Sequence, residues 1–131
     1  MDDETADTLK SWVQKAEEDF EAARRLMEDS ELCLAGAIGF HSQQCVEKYL
    51  KALLIQAGVD FPKVHDIETI VGLMPAGIRP ELAPEDQRKL TDYATILRYP
   101  GGYEPPTRSD AVRAVELARK VREAARRRLG L

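Results

Sequence analysis

The chain has 131 residues, among them only two cysteines, two histidines and eight aromatic residues, one of them tryptophan. Two cysteines, Cys33 and Cys45, are too few for a disulfide-built scaffold. If one helix carries both, they stand about 18 Å apart along its axis, too far for a bridge. With His41 and His65 as the only histidines and no H-E-x-x-H or C-x-x-C spacing, no metal site is expected. No P-loop, G-x-G-x-x-G fingerprint or G-x-S-x-G elbow occurs, so no cofactor is expected either. No apolar run approaches the roughly 20 residues needed to span a bilayer, which excludes a membrane partner by that route. The opening Met1-Asp2-Asp3-Glu4 is acidic where a secretory leader needs positive charge, and a cytoplasmic location is expected.

Alanine, leucine, glutamate and arginine dominate what is present, and they favour helix over sheet. Trp12, Ala16, Phe20, Ala23 and Met27 recur at steps of three and four, predicting a first helix over about 8–29, with residues 1–7 as a flexible acidic tail. A second helix is expected from near Leu32 to Ala57. It is apolar on more than one side (Ile38, Phe40, Val46, Leu50, Leu53, Leu54), as a central helix would be, and Gly58 and Pro62 close it. Asp66 caps a short helix over 67–74. Pro84 suits the first turn of the next helix, which must stop before Pro100. Thr107 or Ser109 opens the last helix, with Val112, Val115, Ala118, Val121, Ala125 and Leu129 as its apolar stripe. No segment alternates as a strand would. The expected architecture is one all-α domain over residues 1–131, an antiparallel up-and-down bundle of four long helices and one short one.

The net charge of −4 is unevenly spread. Acid collects in the first segment and arginine in the last, a pattern expected from a solvated face or from pairing between the terminal helices, with nucleic-acid binding as the alternative.

Two places could carry chemistry. The first is Arg98-Tyr99-Pro100-Gly101-Gly102-Tyr103, where two phenols flank a tight turn beside a guanidinium. Arginine reads phosphate through a planar pair of hydrogen bonds, and tyrosine can stack on a base or donate from its hydroxyl. An arginine at a helix end also serves simply to oppose the helix dipole. The second is one side of the central helix, where His41, Gln44, Glu47, Lys48 and Lys51 recur at helical steps. A Glu47–Lys51 contact and a half-buried His41 would be ordinary helix features there.

The run Phe40-His41-Ser42-Gln43-Gln44-Cys45-Val46-Glu47-Lys48-Tyr49-Leu50-Lys51-Ala52-Leu53-Leu54, the Phe61-Pro62-Lys63-Val64-His65-Asp66-Ile67 loop and the late Arg98-to-Tyr103 motif together resemble the HEPN domain family, in the prokaryotic type associated with minimal nucleotidyltransferases. The resemblance spans nearly the whole chain. It implies a helical bundle that dimerises, a cleft binding RNA or a nucleotide, and metal-independent ribonuclease activity as found in toxins of toxin–antitoxin pairs. Arg98 matches the signature arginine of that family. Tyr103 stands where the signature has histidine, a version found in members associated with nucleotidyltransferases. The resemblance therefore also implies an alternative, a non-catalytic subunit that binds a nucleotide or a nucleotidyltransferase partner. On the first reading Arg98 and Tyr103 are the catalytic pair, and His41, Gln44, Glu47, Lys48 and Tyr99 contact the ligand.

Overall fold

The computed structural model describes residues 1–29, 31, 33–98 and 104–131, and of residues 96–98 the backbone alone. These residues form helices α1 (Asp3–Met27), α2 (Ala35–Gln56), α3 (Ile67–Leu73), α4 (Pro84–Arg98) and α5 (Arg108–Leu129), with a 3₁₀ turn at Ala76–Ile78. No strand occurs among the described residues.

Local chemistry sets the helix limits. The Asp2 carboxylate accepts from the Thr5 amide at 2.7 Å, and Asp3 and Glu4 add negative charge to the first turn. Both effects stabilise a helix start. Helix α1 therefore begins five residues before the position that its apolar stripe predicts, and residues 3–7, expected as part of a tail, are helical. Helix α2 begins at Ala35, so the exposed Cys33 precedes it while Cys45 is buried, and both thiols are free. Gly58, at φ +72°, takes the left-handed turn that ends α2. Asp66 caps α3 through the Thr69 amide at 3.0 Å. Thr107 and Asp110 cap α5 reciprocally, each side chain bonding the other's backbone amide at 3.1 and 2.8 Å.

Helix α2 is the central element, with Ile38, Cys45, Val46, Tyr49, Leu50, Ala52 and Leu54 removed from solvent. Truncating such a residue to alanine costs about 2–5 kcal/mol in the large aliphatic cases. The contacts fix the helix directions. Ala23 of α1 clusters with Ala35 and Ile38 of α2 and with Ala111 and Val115 of α5. Further along, Lys51 of α2 reaches Trp12 of α1, and Glu17 of α1 meets Arg122 and Arg126 of α5. As residue numbers fall along α1 they rise along α2 and α5, so α1 runs antiparallel to both. Helix α4 approaches α2 so closely at Gly39 that a Cβ there would lie 2.8 Å from Cγ of Tyr93. Only glycine leaves room for that ring.

The expected apolar stripes of α1 and α5 both face the core, with shifts at their edges. On α1 the buried positions are Val13, Ala16, Asp19 and Ala23, while Trp12, Phe20 and Met27 lie half-buried at the margin. On α5 Val115, Ala118, Val121 and Ala125 are buried as expected, while at its first turn Ala111 and Ala114 are buried and Val112 is 51% exposed. At the end of the bundle away from α4's last turn, Met1, Leu9, Gln56, Leu129 and Leu131 line one apolar groove.

Candidate functional site

Helix α4 closes on Arg98 and α5 is capped by Thr107, so the sequence motif spans the connection between them. The Arg98 side chain, Tyr99 and Tyr103 lie outside the described residues. The ends of that connection are held by Tyr93, whose ring packs on Gly39 and whose hydroxyl makes a long 3.5 Å hydrogen bond to the Asp110 carbonyl. Burial, with the carboxylates of Asp110, Asp92 and Asp86 adding to it, pushes the Tyr93 phenol up to about 12. It stays neutral and structural.

The polar residues of α2 divide into two groups, each built around a carboxylate. Asp19 of α1 is 8% exposed and receives His41 Nδ1 at 2.8 Å on one oxygen and Lys48 Nζ at 2.5 Å on the other. An ionised carboxylate can only accept, so Nδ1 of His41 carries the proton and Nε2 is the nitrogen left for other partners. The second carboxylate is Glu47, 3% exposed. Lys51 Nζ lies 3.1 Å from Oε2, His65 Nδ1 lies 3.1 Å from the same oxygen, and Gln43 Nε2 donates to Oε1 at 3.1 Å. Gln43 also donates to the His65 carbonyl at 3.0 Å and accepts from Gln44 at 2.7 Å, which fixes the orientation of its amide. Lys51 is covered by Trp12 and Phe61, with its ammonium 5.3 and 5.8 Å from the two ring centroids. Such faces attract a desolvated cation.

The expected set His41, Gln44, Glu47 and Lys48 is thus gathered on α2 but not into one constellation. His41 and Lys48 belong to Asp19. Glu47 belongs to Lys51, Gln43 and His65, and Gln44 joins it through Gln43. Glu47–Lys51, read from sequence as an ordinary helix-stabilising contact, is a buried ion pair with both side chains 4% exposed. Sequence reasoning missed Asp19 and His65 as partners. Asp19 carried a usable signal: it falls between Ala16 and Ala23 on the buried face of α1. His65 carried none, because its partner lies 18 residues away across a loop.

A third carboxylate joins the terminal helices. Glu17 accepts two bonds from Arg122, at 2.6 and 2.7 Å, and a third from Arg126 at 3.2 Å. These hydrogen bonds, Arg122 foremost, hold the Glu17 carboxyl below the usual glutamate range. Part of the acid–base asymmetry along the sequence is therefore pairing between α1 and α5. Burial raises the Cys45 thiol far above its ordinary value, which leaves it unreactive as a nucleophile. Among the described residues no group of His, Cys, Asp and Glu is placed to hold a metal ion, and no helix is long and apolar enough to cross a membrane.

A helical bundle with a polar, carboxylate-centred helix at its middle is the class of protein that these observations define. The HEPN domain family model matches residues 9–128, and the chain belongs to that family. Two solved structures are similar. The crystal structure of TT1696 from Thermus thermophilus aligns with a TM-score of 0.70 at 21% identity, over 91% of this chain and 96% of that one. That of ST0689, an archaeal HEPN homologue, aligns with a TM-score of 0.66 at 26% identity, over 92% of this chain and 96% of the other. The first likeness is one of fold alone. No curated protein matches.

Proposed function

We propose that this chain is an RNA- or nucleotide-binding HEPN protein that works as a homodimer, with the Arg98-to-Tyr103 loop facing the cleft between two copies. The observation that carries this reading is the family match over residues 9–128, which takes in an arginine at the last turn of α4. In this reading Arg98 grips a phosphate and Tyr103 donates a hydrogen bond or positions a 2′-hydroxyl. Tyr99 contacts the ligand beside them. His41, Gln44 and Lys48, all partly exposed, line the cleft wall. Glu47 is buried and acts from behind through Gln43 and Gln44.

If the site cuts RNA, it does so as a metal-independent ribonuclease toxin, and Arg98 stabilises the charge developing on phosphate. Losing one such donor lowers a rate about 10²- to 10³-fold. The test is RNA cleavage in excess chelator by the wild type and Arg98→Ala, with the mass in solution read by light scattering. Equal cleavage by both proteins removes Arg98 from the mechanism, and a monomeric mass removes the shared cleft.

The second reading is a non-catalytic nucleotide- or partner-binding subunit of a minimal nucleotidyltransferase. Tyrosine at position 103 favours it, since a phenol titrates near about 10 and is a poor base at neutral pH. Both histidines of the chain also hold carboxylates through Nδ1. Capture with the product of the adjacent gene, followed by mass spectrometry of Tyr99 and Tyr103, tests it. The absence of both a complex and a modification would count against it.

A further inference from the structure

Arginines in this protein fall into two sets. Arg24, Arg25, Arg113, Arg119, Arg122 and Arg126 each have a carboxylate within ion-pair distance. Among the described side chains, Arg79, Arg88, Arg108, Arg127 and Arg128 have none. Three of these five, Arg79, Arg127 and Arg128, line a single cleft of about 430 Å³ between the C-terminal part of α5 and the 3₁₀ turn. We infer that this cleft is an anion site for a compact ligand carrying two or more phosphates.

The cationic groups are positioned without being neutralised. Arg79 Nε donates to the Met74 carbonyl at 2.9 Å, and Arg128 Nη2 donates to the Gly77 carbonyl at 2.9 Å. Each tie holds a guanidinium against the 74–77 segment and leaves its other N–H groups available. Arg127 makes no such bond and is exposed. Guanidinium groups bind phosphate oxygens in pairs of parallel hydrogen bonds, and three around one opening suit more than one phosphate. Glu81 is the single acid on the lining, and Leu53, Ile78 and Pro80 supply an apolar floor against which a base or sugar could rest. The volume is within the range of small-molecule sites, roughly 300–1,000 Å³.

An extended RNA strand fits less well. The adjoining cleft along α5 shares Arg127, but there Arg113 is taken by Asp86 at 3.1 Å, and Lys120 is accompanied by Glu123. The first cleft has three arginines against one acid, whereas the adjoining one has three cations against three acids. The site is also far from the start of α5, since the 20 residues from Thr107 to Arg127 amount to roughly 30 Å of helix.

The experiment is calorimetric titration of the full chain with ATP and with inorganic triphosphate. Saturable binding is expected, weakened about tenfold or more by Arg127→Glu and by Arg79→Gln, roughly 1.4 kcal/mol for each tenfold. Arg88→Glu, which makes the same charge change at an exposed, unpaired arginine outside the cleft, should bind as the wild type does. Unchanged thermal melting of Arg127→Glu verifies that the variant is folded. Tighter binding of ATP identifies a nucleotide, and equal binding identifies the polyphosphate group alone; either supports the site. No saturable binding, an equal loss in Arg88→Glu, binding of a poly-glutamate peptide in place of either phosphate ligand, or a loss produced by Arg98→Ala but not by Arg127→Glu overturns it.

Discussion

Asp19 and Glu47 use the same chemistry, a carboxylate shared by a lysine and a histidine, in two different surroundings. Asp19 joins α1 to α2, and its partners Lys48 and His41 remain 20% and 32% exposed. Glu47 is matched one turn along its own helix by a lysine as buried as itself, and only His65 reaches water. The difference lies in what happens to the partner when the carboxylate goes. Lys48 can turn to solvent. Lys51, under Trp12 and Phe61, is left as a buried charge, and removing one member of a buried pair is far costlier than the pair's net contribution.

The largest effect is therefore expected from Glu47→Ala, a loss of about 3–5 kcal/mol in urea unfolding. The double variant Glu47→Leu/Lys51→Leu should recover most of it, because no charge is left unpaired. A double variant no more stable than the single would mean that Glu47 acts mainly through Gln43 and His65. Asp19→Ala should cost less, about 1–3 kcal/mol, by losing charge-assisted hydrogen bonds whose donors can rehydrate. A cost equal to that of Glu47→Ala would erase the contrast.

The smallest effect belongs to Glu17, the most exposed of the three carboxylates. Its folded-state pKa is depressed by Arg122, so its contribution is fully present above about pH 4.3, the ordinary glutamate value. It is lost as pH falls through the lower folded value. At neutral pH Glu17→Gln should cost about 1 kcal/mol or less, as partly exposed pairs do. The gap to wild type should close on acidification, and a gap that widens below pH 4 would contradict the assignment.

The helices were legible because their apolar periods and caps are local. Thr107, Asp66, Gly58 and Pro84 each announce a boundary through their own backbone chemistry. The face that α1 buries was legible only to within one residue, since Asp19 occupies a core position that a hydrophobic count passes over. Burial of Glu47 and Lys51 was not legible at all: four-residue spacing is the same on a wet face and a dry one. Whether it is dry depends on Trp12 and Phe61, brought there from another helix and from a loop. At the candidate site, the residue types of α2 could be read from the sequence but not their partners. The cleft formed by Arg79, Arg127 and Arg128 draws on residues 49 positions apart and had no sequence signature beyond a surplus of arginine in α5.

The apolar groove lined by both Met1 and Leu131 has a practical corollary. Met1 and Leu131 are neighbours, at the end of the bundle away from α4's last turn. A short tether could splice them, and the chain could be reopened in the irregular stretch before α4. Such a circular permutant would carry fusion partners or dyes at new ends while α1, α2 and α5 kept all their mutual contacts.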